Sequence, residues 1–489
     1  MSAATIVVRK AEDVVDAVNS GRVSGGHEKA IVLIALGGIF IDAYDFTSLA
    51  FGLKDIAKGF GLSSGAEGVV AASIMVGAFV GAIVGGYLVD RIGRYRMFMA
   101  DMLFFVFAAL GCALAPNVEV LTSFRFLMGL GIGLDFPVAL AFIAEFSALK
   151  GKGGRVTLWQ PMWYIATGSS FVVLLPLYFL LPQSMQADLW RFAVGFGAVP
   201  ALVVLLVRRK YMQESASWAA NQGDLRRAVD ILNGSYGADA TLAPESELVY
   251  PAPREPASLR SFAILFRRRY RRRTIASGVL GMCQSVQYYA VGFFLPFIVG
   301  TFLAEGRLTT ITVPLAFNFV FGVTGGFLGV RLANRLGSRG LALSGFAVCL
   351  VALVLLGVIG APEGTGGGLI VGLLLGIFVF FHSYGPGAQG MTMATLSYPT
   401  YLRGTGSGMG QAVLRIGSTI SLLLFPILAA DLGTGVFFVV AIAPALGLIT
   451  LLLIRWEPIG RDPDVEDADD DDGRRALITV GASTVGGGR

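Results

Sequence analysis

The sequence predicts an all-α membrane protein with twelve transmembrane helices in two pseudo-symmetric six-helix bundles. The first observation is composition: 55% of the 489 residues are hydrophobic and only 15% are charged, against about 25% charged residues in a soluble domain. The second is a series of apolar stretches of about 20 residues, the length that crosses a bilayer core. The third is a single long polar segment that divides them six and six. The stretches are 30–53, 66–89, 97–116, 118–146, 156–181, 190–207, 275–302, 309–330, 341–360, 367–394, 406–430 and 434–454.

Lys and Arg are concentrated on one side of this topology. The central polar segment includes Arg267–Arg269 and Arg271–Arg273, whereas the loops on the opposite side hold few cations. Because cytoplasmic loops carry the excess of Lys and Arg, both termini are predicted to be cytoplasmic. The net charge of +5 is then a topology signal, and no nucleic-acid partner is expected. The predicted units are a cytoplasmic N-terminal segment (1–29), a first bundle (30–207), a cytoplasmic central loop (208–274), a second bundle (275–455) and a disordered acidic tail (456–489).

Several protein classes are disfavoured by what the sequence contains. The three cysteines, Cys112, Cys283 and Cys349, all fall in apolar stretches, which argues against disulfides and a thiolate metal site. With two histidines and no catalytic or metal-binding motif, we expect no enzymatic activity, no metal and no cofactor. Residues Met1–Lys29 lack the apolar core of a cleavable signal peptide.

A short basic turn occurs twice, six helices apart. GGYLVDRIGRYR (Gly85–Arg96) follows the second stretch, and RLANRLGSR (Arg331–Arg339) follows the eighth. The alignment places Asp90 opposite Asn334 and Gly93 opposite Gly337. Such a repeat indicates two parallel halves of the kind that rock around a site near the bilayer midplane.

These motifs resemble those of the major facilitator superfamily, over nearly the whole chain. RFLMGLGIGLDFPVALAFIAE (Arg125–Glu145) resembles the fourth-helix signature of sugar porters, and KYMQESASWAANQGD (Lys210–Asp224) resembles the segment that follows their sixth helix. YPTYLRGTGSGMGQAVLRIGS (Tyr398–Ser418) looks like a segment of organic-ion transporters and aromatic-acid symporters. FIDAYDF (Phe40–Phe46) and GIGLDFP (within Arg125–Glu145) look like proton–phosphate symporters. The resemblance implies the major facilitator fold.

Four charged residues in the first bundle are candidates for proton coupling. Asp45 and Arg125 are both expected about 10 Å below the outer surface, where an unpaired charge is costly, so we expect them to pair. The resemblance to proton-coupled sugar porters implies that protonating the aspartate breaks this pair; a permanent, purely structural salt bridge is the alternative. Asp42 lies one helical turn from Asp45, and Asp135 is expected at the depth of Asp42. Asp135 matches an aspartate of proton–phosphate symporters, and this resemblance implies that Asp135 carries a proton. A capping or water-bound aspartate is the alternative.

A second group of charges is expected at the cytoplasmic face, where it would hold the two halves together. The superfamily pattern supports an inner gate formed by Asp90, Arg91, Arg94, Glu145, Arg155, Arg335 and Arg403. Asn334 stands where an acid would complete the second copy of the turn, so most acids of the gate are predicted to come from the first half.

Arg415 is the main indication of the substrate. It lies in the eleventh stretch, and no acid in the second-bundle stretches is available to neutralise it. A buried cation without a fixed partner indicates an anionic substrate; an arginine that extends to the interface is the alternative. In organic anion transporters the aligned position is also arginine. The other predicted substrate-binding residues are Gln284, Gln287, Tyr288, Tyr289, Asn318, His382, Gln160 and Tyr164.

The sequence thus predicts a proton-coupled symporter that takes up a small organic anion, such as a carboxylate or aromatic acid, by alternating access. Sugar or phosphate symport and proton-driven efflux of drugs or metabolites are the alternatives. The expected partners are protons, the anion and the lipid bilayer. A monomer in a bacterial plasma membrane is the expected state.

Overall fold

The computed structural model describes residues 5–21, 23, 28–250, 261–300, 307–362 and 364–466. Among these, nine stretches are long and apolar enough to cross a membrane. The two longest, Leu308–Ile359 and Thr400–Leu453, have 52 and 54 residues, and each therefore has the length of two crossings. Twelve crossings with both termini inside remains a prediction.

The first half is built from long apolar helices that follow a short N-terminal strand and helix. In order, these are β1 (Ile6–Val8), α1 (Ala11–Asn19), α2 (Glu28–Ala50), α3 (Leu53–Phe60), α4 (Ser64–Ile92), α5 (Arg94–Ala113), α6 (Val118–Glu145), α7 (Leu149–Thr157), α8 (Trp159–Leu180), α9 (Leu189–Phe196) and α10 (Ala198–Tyr211). Because α10 continues to Tyr211, the predicted end of the first bundle at residue 207 is too early, and Arg208 belongs to the helix.

The central segment and the second half follow. The central segment contains α11 (Ala216–Asn221), α12 (Leu225–Tyr236), β2 (Ala240–Leu242) and α13 (Ser261–Ile264). The second half contains α14 (Arg271–Gln287), α15 (Leu295–Ile298), α16 (Arg307–Phe317), α17 (Thr324–Ile359), α18 (Gly364–Tyr384), α19 (Pro386–Leu396), α20 (Thr400–Leu432) and α21 (Val436–Leu453). Two π-helical segments, Tyr288–Phe293 and Asn318–Val323, interrupt this half; such segments often occur at functional sites.

The repeated basic turn has the same geometry in both halves. Gly93 and Gly337 have φ angles of 106° and 73°, which only glycine adopts without strain. The two residues after each glycine donate their backbone N–H groups to one glutamate. Arg94 (3.0 Å) and Tyr95 (3.2 Å) donate to Glu214. Ser338 (3.0 Å) and Arg339 (2.9 Å) donate to Glu457. Burial raises the pKa of Glu214, and these hydrogen bonds oppose the rise. The pseudo-symmetry inferred from the repeat therefore extends to the glutamate that follows each half.

Glycines allow the closest helix contacts. A Cβ atom on Gly133 of α6 would lie 2.3 Å from the carbonyl oxygen of Ala78 in α4. On the cytoplasmic side of the contact between halves, a Cβ atom on Gly408 of α20 would lie 2.7 Å from the Cα atom of Gly86 in α4. The first contact binds α4 to α6 within one half, and the second joins the halves.

The cytoplasmic segments are more ordered than predicted. Strand β1 pairs in parallel with β2, so the N-terminal segment docks on the central loop. The chain from Trp456 to Glu466 also packs against the helices: the Trp456 indole donates to Ser397 (2.8 Å), and its ring lies 4.3 Å from the Arg273 guanidinium. The prediction of a disordered tail is thus wrong as far as Glu466. The rest of the acidic cluster lies outside the described residues.

Candidate substrate and proton sites

A small cavity lies between the two halves, and the space within it, including the part open to solvent, is about 330 Å³. Six of the predicted substrate-binding residues line it: Gln160, Gln284, Tyr288, Tyr289, His382 and Arg415. Five residues that the sequence interpretation did not identify complete the wall: Phe136, Trp159, Trp163, Gln411 and Leu414. Aromatic rings with a few polar groups are typical of a site for a small organic ligand.

Arg415 is buried in this wall, with 1% of its surface exposed. Its Nη1 donates to the Tyr289 hydroxyl (3.1 Å) and approaches the Met75 sulfur (3.8 Å). The guanidinium lies 5.4 Å from the centroid of the Phe46 ring, and Nε has no acceptor. In the part of the chain that the structure describes, Arg415 forms no ion pair with a carboxylate. The prediction of a cation without a fixed counter-charge therefore agrees with the geometry.

Hydrogen bonds to neighbouring groups fix the aromatic side chains of the cavity wall. Trp163 donates to the Tyr288 hydroxyl (2.8 Å), and Trp159 donates to the backbone carbonyl of Ala388 (3.1 Å). His382 stacks on Tyr288 with ring centroids 5.3 Å apart, and its Nδ1 is 2.9 Å from Nε2 of Gln287. These contacts hold the aromatic wall in place.

Three predicted substrate-binding residues do not line the cavity. Gln287 bonds to His382 instead. Tyr164 meets the Tyr288 ring edge-on at 6.0 Å, and the Asn318 amide donates to the backbone carbonyl of Pro314 (2.7 Å). The sequence assigned these residues to the cavity because they are polar side chains within apolar stretches, and this signal does not show the direction in which each side chain points.

Two amides in the wall are available to a ligand. Neither the nitrogen nor the oxygen of the Gln411 amide has a hydrogen-bond partner, and the Gln160 oxygen also lacks one. Gln411 precedes Arg415 by four residues on α20, which places both on one helix face. That spacing is the sequence signal that could have identified Gln411.

The predicted Asp45–Arg125 ion pair is not formed in this structure. Arg125 Nη1 contacts the backbone carbonyl of Asp45 (3.4 Å), while neither carboxyl oxygen of Asp45 has a donor. The carboxyl faces the junction of α9 and α10, where a Cβ atom on Gly197 would lie 2.2 Å from Asp45 Oδ1. The two residues are neighbours, as expected from their depth, but the carboxyl turns away from the guanidinium.

Asp135 instead pairs with a residue that the sequence analysis placed in the cytoplasmic loop. Arg208 donates to Asp135 (3.0 Å) and to Asp101 (3.1 Å), and the side chains of all three are fully buried. Arg208 was missed because it begins the basic RRK run that follows an apolar stretch, which resembles an ordinary stop signal. Asp101 was missed although it is a single charge within the third apolar stretch.

Asp42 lies between this cluster and the cavity. It is fully buried, and neither carboxyl oxygen has a donor. Its charged neighbours are Asp135, Arg415, Asp45 and Arg208. Asp42 is thus the acid that connects the predicted proton residues with Arg415.

A charge cluster joins the two halves where the inner gate was predicted. Arg94 pairs with Glu145 (2.7 Å) and Asp90 (3.3 Å), and Arg403 of the second half reaches Glu145 (3.6 Å). Asp90 also accepts the backbone N–H groups of Gly404 (3.2 Å) and Thr405 (2.8 Å) of α20. These contacts cross between the halves and close the molecule on this side.

Other predicted gate residues lie elsewhere. Arg91 and Arg335 are exposed, and Arg155 is partly exposed on α7. An acid that was not predicted takes part: Asp464 of the tail pairs with Arg403 (3.1 Å) and accepts the backbone N–H of Thr400 (2.7 Å). The two gate acids from the helices, Asp90 and Glu145, both come from the first half, as the replacement of an acid at position 334 led us to expect.

Long apolar helices surround a central cavity, an arrangement typical of multi-pass membrane transporters. The model of the family described as sugar (and other) transporters matches residues 30–462. The chain therefore belongs to this family of the major facilitator superfamily, as its motifs predicted.

Relatives and solved structures agree with this assignment. The inner membrane metabolite transport protein YgcS of Escherichia coli is 26% identical over 94% of each chain. The niacin transporter NiaP of Acinetobacter baylyi is 25% identical over 83% of this chain and 88% of its own length. The solved structure of the proton:xylose symporter XylE bound to 6-bromo-6-deoxy-D-glucose has a TM-score of 0.75 and 19% identity, covering 90% of this chain and 98% of that chain. The predicted location in a bacterial plasma membrane is confirmed.

Proposed function

We propose that the protein is a proton-coupled symporter that takes up a small organic anion, such as an aromatic carboxylate. The observation that carries this proposal is Arg415, a buried guanidinium in an aromatic cavity with no carboxylate partner among the described residues. A carboxylate can take two parallel hydrogen bonds from one guanidinium. Burying the arginine without such a ligand leaves part of its hydrogen-bonding capacity unused.

The neighbouring groups fit an aromatic acid. The guanidinium would hold the carboxylate, while Trp159, Trp163 and Tyr288 would pack against the ring. Gln160 and Gln411 have free amide atoms that could orient a heteroatom of the ligand. The name of one relative, a niacin transporter, makes nicotinate a sensible first probe.

Asp42 and Asp45 are the proposed coupling acids. An anion that binds Arg415 adds a negative charge close to Asp42, and a like charge favours the protonated form of a buried carboxyl. Binding of the anion and uptake of a proton therefore promote each other. Asp45 and Arg125 would separate and pair as the halves rock between conformations that open to either side.

A sugar or polyol is the second candidate substrate. It is favoured by three amide side chains in the cavity wall, Gln160, Gln284 and Gln411, because amides bind neutral hydroxyl groups well. One relative, of Bacillus subtilis, is described as the major myo-inositol transporter. In this case Arg415 would serve the structure alone.

Purified protein separates the two candidates. Thermal unfolding in detergent would be followed with nicotinate, benzoate, inorganic phosphate, glucose and myo-inositol, since a ligand that binds the folded state raises the unfolding temperature. We expect stabilisation by the aromatic acids. Uptake of the stabilising compound into proteoliposomes, driven by an inward proton gradient, would then test symport. Stabilisation by glucose or myo-inositol alone would reject the anion proposal.

A further inference from the structure

A buried cluster of three charged side chains lies beside the substrate cavity and does not contact it. Arg208 of α10 bridges Asp101 of α5 and Asp135 of α6. The guanidinium is fixed further by the backbone carbonyl of Phe98 (2.9 Å) and by the Phe98 ring, whose centroid is 4.0 Å away. Three helices thus meet at one arginine.

This cluster holds one guanidinium for two carboxyl groups. Asp101 and Asp135 each direct Oδ1 at Arg208, and Oδ2 of each has no donor. Two carboxyl groups that share one buried cation raise each other's affinity for a proton.

Little space is left around the cluster. A Cβ atom on Gly38 of α2 would lie 2.2 Å from both Arg208 Nη2 and Asp135 Oδ2. The backbone of α2 therefore covers the ion pair closely, and the charges are held in surroundings of low dielectric. An unmatched charge is strongly disfavoured in such surroundings.

The charges in the buried middle of the described helices do not balance. Apart from the inner-gate cluster, Glu214, and Lys152 of α7, which donates to Asn19 near the gate, the buried charged side chains number four acids and three arginines: Asp42, Asp45, Asp101 and Asp135 against Arg125, Arg208 and Arg415. If all were ionised, one negative charge would be in excess. The excess falls on Asp101 and Asp135, because these two carboxyl groups share one arginine.

We propose that Asp101 and Asp135, bridged by Arg208, form a second proton-binding site that holds a resident proton in the substrate-free protein. The charged groups facing this site are Asp42 and Arg208. An anion that arrives at Arg415 adds a negative charge close to Asp42, and Asp42 takes the second proton. This last step rests on the proposed anion substrate, whereas the resident proton does not.

Infrared spectroscopy of the ligand-free protein in nanodiscs tests the resident proton. A protonated carboxyl group shows a C=O stretching band that an ionised carboxylate lacks. At pH 7 we expect this band in the unmodified protein. Asp101→Asn should remove one carboxyl group's share of it, because a single aspartate then faces Arg208. Asp230→Asn, which changes an exposed acid of α12, should leave the band unchanged.

Two further variants keep the test decisive. Asp135→Asn repeats it from the other helix, in case Asp101→Asn does not fold. Arg208→Gln should increase the band, because two carboxyl groups would then lack a cation. A folded Asp101→Asn or Asp135→Asn protein with the band of the unmodified protein would overturn the resident proton, as would absence of the band at pH 7. Failure to bind any anion would reject the proposed function and leave the infrared result standing.

Discussion

Arg415 is the side chain on which the proposed anion specificity depends. Arg415→Ala should weaken nicotinate binding by about 2–4 kcal/mol, because a charge-assisted contact is lost inside the cavity. Arg415→Lys should recover only part, since an ammonium cannot make the planar two-pronged contact. Calorimetric titration in detergent would measure both. Arg331→Ala, an exposed arginine of the same half, should bind as the parent does. Equal affinity of the Ala variant and the parent would make Arg415 a structural residue.

A substitution of Asp45 tests whether this residue couples proton movement to transport. Its carboxyl has no donor in this conformation, so Asp45→Asn should fold normally and mimic the protonated state permanently. We expect loss of proton-driven accumulation in proteoliposomes, with exchange of internal and external substrate retained. Asp230→Asn provides the exposed control. Accumulation against a gradient by the Asp45→Asn variant would exclude Asp45 from coupling.

Charges within long apolar stretches were the residues that could be predicted. Asp42, Asp45, Arg125 and Arg415 stand out because their stretches hold few other charges, and all four are buried; Asp101 carries the same signal and was overlooked. Arg208 could not be found in this way, since the neighbouring Arg209 and Lys210 concealed it at the end of a helix. The orientation of the Asp45 carboxyl could not be predicted either. The carboxyl occupies the space where a side chain at position 197 would lie, and Gly197 is distant from Asp45 in sequence.

At the scale of elements, glycine contacts decide how closely α4 and α6 approach. Gly133→Ala would place a methyl group 2.3 Å from the Ala78 carbonyl oxygen, and the helices would have to separate. We expect a loss of about 1–3 kcal/mol of stability, as for other overpacked interiors, seen as a lower unfolding temperature in detergent. Gly372→Ala in α18, where nothing lies within 4 Å of the new methyl group, is the control. An unchanged unfolding temperature for Gly133→Ala would contradict this packing.

The inner gate links three elements through Glu145, which pairs with Arg94 of α5 and Arg403 of α20. Glu145→Gln removes the negative charge that both arginines share, so the population should move toward conformations open to the cytoplasm. Spin labels on cysteines at the exposed positions 91 and 335, one in each half, would report longer distances. Glu119→Gln, at the exposed start of the same helix, should leave the distances as they are. No shift in the Glu145 variant would mean that other contacts close this side.

Helix positions followed from the sequence because apolar length is a local property. The predicted third and fourth stretches, 97–116 and 118–146, lie within a few residues of α5 and α6. The π-helical segments at Tyr288 and Asn318 could not be predicted, since they arise where packing against other helices inserts an extra residue into a turn.

The whole molecule is held in one conformation by segments outside the membrane. Strand β1 pairs with β2 of the central segment, and Asn19 of α1 bonds both to Lys152 of the first half (2.6 Å) and to Asp462 of the tail. The N-terminal segment, the central loop and the tail therefore form one assembly on the side of the molecule that the gate contacts close. Composition alone marked all three as polar loops, because their order comes from contacts between distant parts of the chain.

Shortening the tail tests this assembly without changing any residue of the cavity. Asp464 accepts the backbone N–H of Thr400 and pairs with Arg403, so it holds the beginning of α20 against the gate. Deleting residues 456–489 should lengthen the distance between spin labels at positions 91 and 335, and Asp464→Asn should do so more weakly. Deleting 467–489 alone should change nothing, since the tail contacts described above lie before residue 467. If the shorter deletion opened the cytoplasmic side as much as the longer one, these contacts could not be what keeps it closed.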